Sequence, residues 1–535
     1  MFLIPAFTQE QIQLNTRTVC YFINTCTNMR QNLRKHITAR PERRFLMLPI
    51  LEKNLQKEYT LLCLLDSEDR YFSCQELAAQ LGLSERTVYK HLQNLINRLE
   101  KIPAAELTIT RSAALGIHLQ RASWLSIHSI YAEFAQKSLI YDFFHSIFLE
   151  TTDTTTAFCL NHFVSTASLY RSLSPMRQTL TDFSLHLSAS DMRLTGEEMQ
   201  IRYFYNNFYL QIFRGYGWPF PGISRQLIMN TIDDILSSLD AHMNVNDKKH
   251  FSYWLAVIAQ RISLHHSLPS PLPVNLGLNN EAYHACKSSI RRFFQRLHLT
   301  ASDAECQFIF YLLHAFPFGM NIQQRLFAAA RDVRGFDCLP LTATDHFLAV
   351  FARYFPQWIG MGSSSFRLKL HRLHFHGALL RGSSDLLERY PFLKSYAQNY
   401  PGFARNMHTL FAALSPHTCG QCFADERYLL PHYILLCSQS FDLTACEPAI
   451  KLALLTDYGP IYEEKIKKEI ISRFRDDFHL QFVTTCQEYD ILITNLPARI
   501  HTANTLTLAI HTAFNPREWH LLRQLLRQAQ TAQLS

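Results

Sequence analysis

A chain of 535 residues exceeds what one hydrophobic core serves, and at about 150 residues per domain it points to three to five domains. Hydrophobic residues at 47% with 39 Phe and 23 Tyr exclude extended disorder, and 13 scattered cysteines, an odd number, exclude the disulfide framework of a small secreted protein. The formal charge of +8 is mild; residues 1–120 hold 15 Lys and Arg against 11 Asp and Glu, a balance compatible with nucleic acid without requiring it.

No run of about 18 apolar residues is present, so no membrane partner is expected. The opening MFLIPAF lacks the basic start of a secretory signal, and a cytoplasmic location is expected. Residues 1–46 are polar and end in the basic cluster ARPERR; Met47 is a candidate native start, ahead of a helix expected over 48–65.

Residues 72–99, FSCQELAAQLGLSERTVYKHLQNLINRL, have the grammar of a helix-turn-helix. Cys74 to Gln80 form the first helix with Leu77 and Ala78 inward, Gly82 supplies the turn, and Ser84 caps a second helix beginning at Glu85. Val88, Leu92, Leu95 and Leu99 recur at spacings of three and four as a buried stripe. Ser84, Glu85, Arg86, Thr87, Tyr89, Lys90 and Gln93 lie off that stripe, and among them are residue types that read base edges in a groove. Two alternating segments, 107–110 and 116–119, joined by RSAAL, make the expected wing, with Arg111 in its loop aimed at a phosphate or the minor groove. Capped helix pairs are common in helical proteins, so the wing adds weight that the pair alone lacks.

The pattern returns from Ala157. FCLNHFVSTASLYRSLSPMRQTL gives a helix, a turn near Val164 and Ser165, and a second helix presenting Ser165, Thr166, Ser168, Tyr170 and Arg171. Pro175 is expected to end that helix at Ser174. A hairpin over 183–187 and 192–195 follows.

The next segment, TGEEMQIRYFYNNFY, places Gly196 at the strand end, Glu197 and Glu198 at a helix N-terminus, and an aromatic core stripe behind them. Gly196, Glu197, Ile201, Arg202, Tyr203 and Phe204 resemble a Gly-Glu-x-x-Ile-Arg-Tyr-Phe-like signature, with three residues here between Glu197 and Ile201. By it, and by element order over 47–535, the chain resembles the Mga and AtxA family of transcription regulators of Gram-positive bacteria. Helical periodicities over 221–440 are punctuated by SLPSPLPVNLGLNN at 267–280 and GMGSSS at 360–365, which fits two bundles.

The resemblance implies that these bundles are phosphotransferase-system regulation domains whose histidines accept phosphoryl groups from sugar-transport phosphocarriers. It places the acceptors at His250 and His314 in the first bundle and at His371 and His432 in the second, with His374 and His376 crowding His371. Neutral imidazole is nucleophilic near pH 7, and an added phosphoryl charge can repack a helical interface.

HTCGQC, with His417, Cys419 and Cys422, reads as a loop, since His432 and Cys437 stand at a spacing unlike common zinc modules; no metal and no cofactor is expected. The C-terminal stretch runs KLALLTD, GPIYEEKIKKEIISRF, HLQFVTT, YDILITN, TLTLAI and a helix from Pro516, an α/β layer resembling the family's enzyme IIB-like domain. Thr456, Asp457, Tyr458 and Gly459 stand where an enzyme IIB keeps its phosphorylatable Cys, which argues for a structural or dimer-forming role.

The expected fold is mainly α and multidomain: two N-terminal winged helix-turn-helix modules, two helical bundles and a small C-terminal α/β domain. The expected segments are 1–46 (extension), 47–120, 121–220, 221–325, 326–440 and 441–535. No nucleotide loop or nucleophile elbow supports an enzyme. The expected function is a DNA-binding transcription regulator, homodimeric, with promoter DNA and the phosphocarriers as partners. The alternatives are a phosphotransferase-coupled signalling or interaction protein, or an RNA-binding antiterminator.

Overall fold

The computed structural model describes residues 49–100, 107–152, 154–188, 190–215, 217–272, 276, 280–331, 338–358, 363–382, 390–414, 418–484, 488–496, 506–511 and 514–534. The 1–46 extension, Met47 and His417 lie outside the described residues. The chain forms two compact units, divided after Phe144.

In the first unit, helix α1 spans Lys53–Leu65, and residues 49–52 ahead of it are not helical, so it starts later than expected. Helix α2 (Cys74–Leu81) is capped by Ser73, whose hydroxyl accepts from the Glu76 amide, and ends at Gly82 in the left-handed region at φ 65°. Ser84 caps α3 (Glu85–Leu99) by accepting from the Thr87 amide. Strands β1 (Leu107–Ser112) and β2 (Gly116–Arg121) pair antiparallel, with Arg111 opposite Ile117. Arg111 therefore belongs to a strand and not to the loop, which shrinks to residues 113–115. Phe72 adds a third rung by exchanging both backbone hydrogen bonds with Ile117, at 2.8 and 2.9 Å. Gly116 makes this approach possible: at φ 103°, an added Cβ would lie 2.4 Å from the Phe72 carbonyl oxygen. Helix α4 (Ile127–Ala135) completes the core with Ile130 and Phe134, and α5 (Leu139–Leu149) carries the chain onward.

The second unit opens with α6 (Thr155–Asn161), capped by Thr154, and α7 (Thr166–Asp182), capped by Ser165. Helix α7 runs through Pro175 to Asp182, correcting the expected stop at Ser174. Pro175 is exposed while Leu173, Met176 and Leu180 are buried, so packing on the opposite face outweighs one missing amide. A short hairpin, β3 (His186–Ser188) with β4 (Arg193–Thr195), precedes α8 (Glu198–Phe213). Its aromatic residues Tyr203, Phe204, Tyr205, Phe208 and Tyr209 are all buried, as core.

Helices follow: α9 (Arg225–Ser238), α10 (Val245–Ser263), α11 (Glu281–Arg296), α12 (Asp303–Ala315), α13 (Met320–Arg331), α14 (Leu339–Tyr354), α15 (Ser364–Leu379), α16 (Pro391–Asn399), α17 (Pro401–Leu414) and α18 (Glu426–Ser440). The chain ends in a four-stranded parallel sheet of order β6-β5-β7-β8, from β5 (Ile450–Leu455), β6 (Leu480–Val483), β7 (Ile491–Thr494) and β8 (Leu506–Ala509). Ile450, Leu452 and Leu454 alternate toward a core shared with Ile466 and Ile470 of α19 (Pro460–Phe474) and Leu522 and Leu526 of α20 (Pro516–Leu534). The architecture is thus mainly helical, with helix-turn-helix elements at the N-terminal end, helical bundles and a small α/β region at the C-terminal end.

Candidate nucleic-acid interface

The outer face of α3 is set by what its inner face grips. Val88, Leu92 and Leu95 are buried as the spacing predicts, whereas Leu99 is half-buried and His91 joins the stripe. Glu58 of α1, itself buried, accepts from Asn94 Nδ2 and Arg98 Nε at 3.2 Å each, and His91 Nδ1 stands 3.9 Å away. Burial lowers the His91 pKa, with Glu58 opposing. A paired buried carboxylate fixes the rotation of α3 about its axis. Arg86, Tyr89, Lys90 and Gln93 then face solvent, with Tyr89 at 53% exposure. Ser84 and Thr87 are engaged in the cap, their hydroxyls 2.8 Å apart, and Glu85 is exposed at the helix start.

Arg111 Nη2 donates to Gln93 Oε1 at 3.1 Å, which sets the exposed edge of the wing beside the exposed face of α3. Beyond Arg86 and Arg111, the arginines of this unit among the described residues are engaged with acids. Arg70 pairs with Glu68 and Glu76, Arg98 with Glu58, and Arg121 with Asp66. Arg86 and Lys90 form no ion pair among the described residues, so their charge is available to a ligand.

In the second module Leu169, Leu173, Met176 and Leu180 are inward, and Ser165, Thr166, Ser168, Tyr170 and Arg171 are exposed along α7, with the Ser165 hydroxyl accepting from the Ser168 amide. The turn before it holds Phe163 at φ 55° and 96% exposure.

The four histidines occupy different surroundings. His250 on α10 is half-buried. His314 on α12 and His371 on α15 are buried, 6.3 Å apart between ring centres, and His314 Nε2 has no hydrogen-bond partner among the described residues. Burial lowers the pKa of both, that of His371 to about 3. His432 on α18 holds the Tyr428 carbonyl with Nδ1 at 2.6 Å, and burial lowers its pKa to about 3. His374 has both nitrogens engaged, by Thr344 at 2.8 Å and Tyr433 at 2.9 Å, and His376 Nε2 meets Tyr203 at 3.1 Å.

In the α/β region, Glu463 Oε1 accepts from the Thr456 amide at 3.3 Å and its hydroxyl at 3.0 Å. The loop after β5 is thus filled by the chain's own carboxylate. Cys419 and Cys422 are fully buried, and burial pushes the Cys422 thiol up to about 12. No group of three or more possible metal ligands occurs among the described residues, and no helix there is long and apolar enough to cross a membrane.

Sequence reasoning missed the Arg111–Gln93 link and the buried Arg202. Arg202 makes a two-pronged pair with Glu305, one prong 2.9 Å, and a bond to Glu198 at 3.0 Å, joining α8 to α12. Its place amid the aromatic residues Tyr203, Phe204 and Tyr205 and its match to the family signature were the signals the sequence carried.

Capped helix pair, turn and hairpin define a winged helix-turn-helix protein carrying a second helix-turn-helix. Residues 57–112 match the family described as HTH domain, and residues 124–209 the Mga helix-turn-helix domain. The chain is 23% identical over 218 residues to the capsule synthesis positive regulator AcpA of Bacillus anthracis, covering 41% of this chain and 44% of that protein. It is 24% identical over 221 residues to a putative trans-acting regulator of Streptococcus pneumoniae, with coverages of 41% and 44%. Against the anthrax toxin expression trans-acting positive regulator of Bacillus anthracis it is 21% identical over 266 residues, with coverages of 49% and 55%. The matches span about half the length of these curated relatives, and they bear out the resemblance to the Mga/AtxA-type helix-turn-helix regulators.

Proposed function

We propose that the chain is a DNA-binding transcription regulator that reads duplex DNA through its two helix-turn-helix modules. The observation that carries this reading is the solvent-facing set Arg86, Tyr89, Lys90 and Gln93 on a helix capped by Ser84, with Arg111 alongside, inside a segment matched by a helix-turn-helix family. Arg and Lys supply phosphate affinity and guanine contacts, and Gln is suited to adenine. The segment Ser165, Thr166, Ser168, Tyr170 and Arg171 adds a second contact region. The test is binding to promoter fragments of the native host: an Arg86→Ala, Lys90→Ala double variant is expected to lose about tenfold or more in affinity. Binding equal to wild type removes α3 from the interface.

The proposal extends to regulation. Segments 221–325 and 326–440 act as phosphotransferase-system regulation domains, 441–535 as an enzyme IIB-like dimerising region without phosphoryl transfer, and the working form is a homodimer in the cytoplasm. His250, His314, His371 and His432 are the acceptors. In support, His314 Nε2 lacks a hydrogen-bond partner among the described residues, in a seam where Phe310 and Phe375 pack on it and His371 lies beside it, and there a phosphoryl charge of about −2 forces helices apart. Access requires that the seam open first. Incubation with the general phosphocarriers and phosphoenolpyruvate, followed by peptide mapping, is expected to label these histidines; labelling elsewhere alone overturns the assignment.

A further inference from the structure

The tip of the first wing is apolar. Ala113, Ala114 and Leu115 are all exposed, Leu115 to 61%. The tip is also held in place. The Leu115 amide donates to Ser112 Oγ at 3.2 Å, and Gly116 seats the wing against the Phe72 backbone. It presents no cation, and the basic groups lower on the wing are engaged: Arg121 with Asp66, His118 with Asp69 at 2.9 Å, and Arg111 with Gln93. Through that last bond the apolar tip is continuous with the exposed face of α3. The hairpin of the second module differs, for its turn holds Ser190 and Asp191, with Ser188 Oγ bonded to Asp191 at 2.8 Å.

A wing built to hold phosphates carries Lys or Arg at its tip. A rigid leucine between two alanines and the following glycine suits a different surface, the apolar faces of stacked bases reached from the minor groove. There, aliphatic side chains wedge between neighbouring bases and bend the duplex.

We propose that the first module inserts Leu115 as a wedge at a single base step in the minor groove beside the major-groove site of α3. The inference rests on the DNA-binding reading above. It assigns the wing a preference for duplexes with an easily unstacked pyrimidine–purine step at that place, a preference set by deformability and not by hydrogen bonds. With Arg121, His118 and Arg111 held in contacts within the unit, the apolar contact supplies a larger share of the wing's affinity than in a basic wing.

The experiment uses the full chain. Duplexes enriched from a randomised pool are prepared with 2-aminopurine at successive positions, and fluorescence and affinity are measured for wild type, Leu115→Ala, Leu115→Met and Leu115→Lys. Wild type is expected to brighten the probe at one step. Leu115→Ala abolishes that signal and binds about tenfold more weakly with an unchanged thermal midpoint. Leu115→Met keeps both properties, and Leu115→Lys does not restore the signal. The wedge is overturned if wild type binds without brightening any position, or if Leu115→Ala brightens and binds as wild type does. A chain that enriches no duplex overturns the DNA-binding reading itself, and the wedge falls with it.

Discussion

Phe163 takes in the second module the backbone position that Gly82 takes in the first. Both follow a short helix, both precede the cap of the next by two residues, and both have positive φ, 55° and 65°. A phenylalanine there bears the steric cost of the left-handed region, and its exposed ring gains nothing from packing. Phe163→Gly is therefore expected to stabilise the protein by about 1 kcal/mol, read as a shift of the denaturant midpoint. No change would mean that the unfolded-state freedom of glycine cancels the relief. Gly82 announced the first turn in the sequence; the second turn had no such mark, and only the residues near Val164 and Ser165 and the repeat of the helix, turn, helix and hairpin order revealed the helix pair.

At the scale of elements, the contact between α8 and α12 is organised by charges with no exposure to water. Arg202 and Glu305 are fully buried, Glu198 bonds both Arg202 and Arg261, and the Leu268 amide donates to Glu305 Oε1 at 2.8 Å. Removing one partner strands the other. Arg202→Met is expected to cost about 3–5 kcal/mol, while the Arg202→Met, Glu305→Gln double variant, which keeps an acceptor for the Leu268 amide, recovers at least half of it. Chemical denaturation of the single and double variants measures the difference; a double variant as unstable as the single refutes the account. Element positions were largely readable from caps and apolar spacing, as Ser84 and the stripe of Val88, Leu92 and Leu95 illustrate. Pro175 misled because a proline weighs on its own helix, whereas the burial of Leu173 and Met176 that outweighs it belongs to the tertiary structure.

For the molecule as a whole, buried histidines tie stability to acidity. His314, His371, His374, His376 and His432 all have pKa values lowered by burial, and so has His145, to about 4. Folded, they stay neutral; unfolded, they take up protons near pH 6.5. Their stabilising effect is complete above that value and is lost as pH falls from about 6.5 toward 3, each such group costing about 1.4 kcal/mol one unit below 6.5. Thermal midpoints measured from pH 7.5 down to 5.5 are expected to fall steeply, and His371→Leu to flatten some of the slope. An acid limb identical to wild type assigns the loss to other groups. The order of the segments was legible in composition and punctuation, and the parallel α/β end in its strand–helix alternation. The seam of histidines was not, since 25 His along a chain carry no mark of which ones the fold will dehydrate.

The bond between Gln93 and Arg111 makes the two positions epistatic. Any substitution at Gln93 that alters base preference also frees the Arg111 guanidinium, and any change at Arg111 frees the Gln93 Oε1 acceptor while its Nε2 still donates to Asn97. Evolution of a new target sequence through this module cannot proceed by independent steps at helix and wing; it must move as a pair or pass through an intermediate in which one of the two is unmoored.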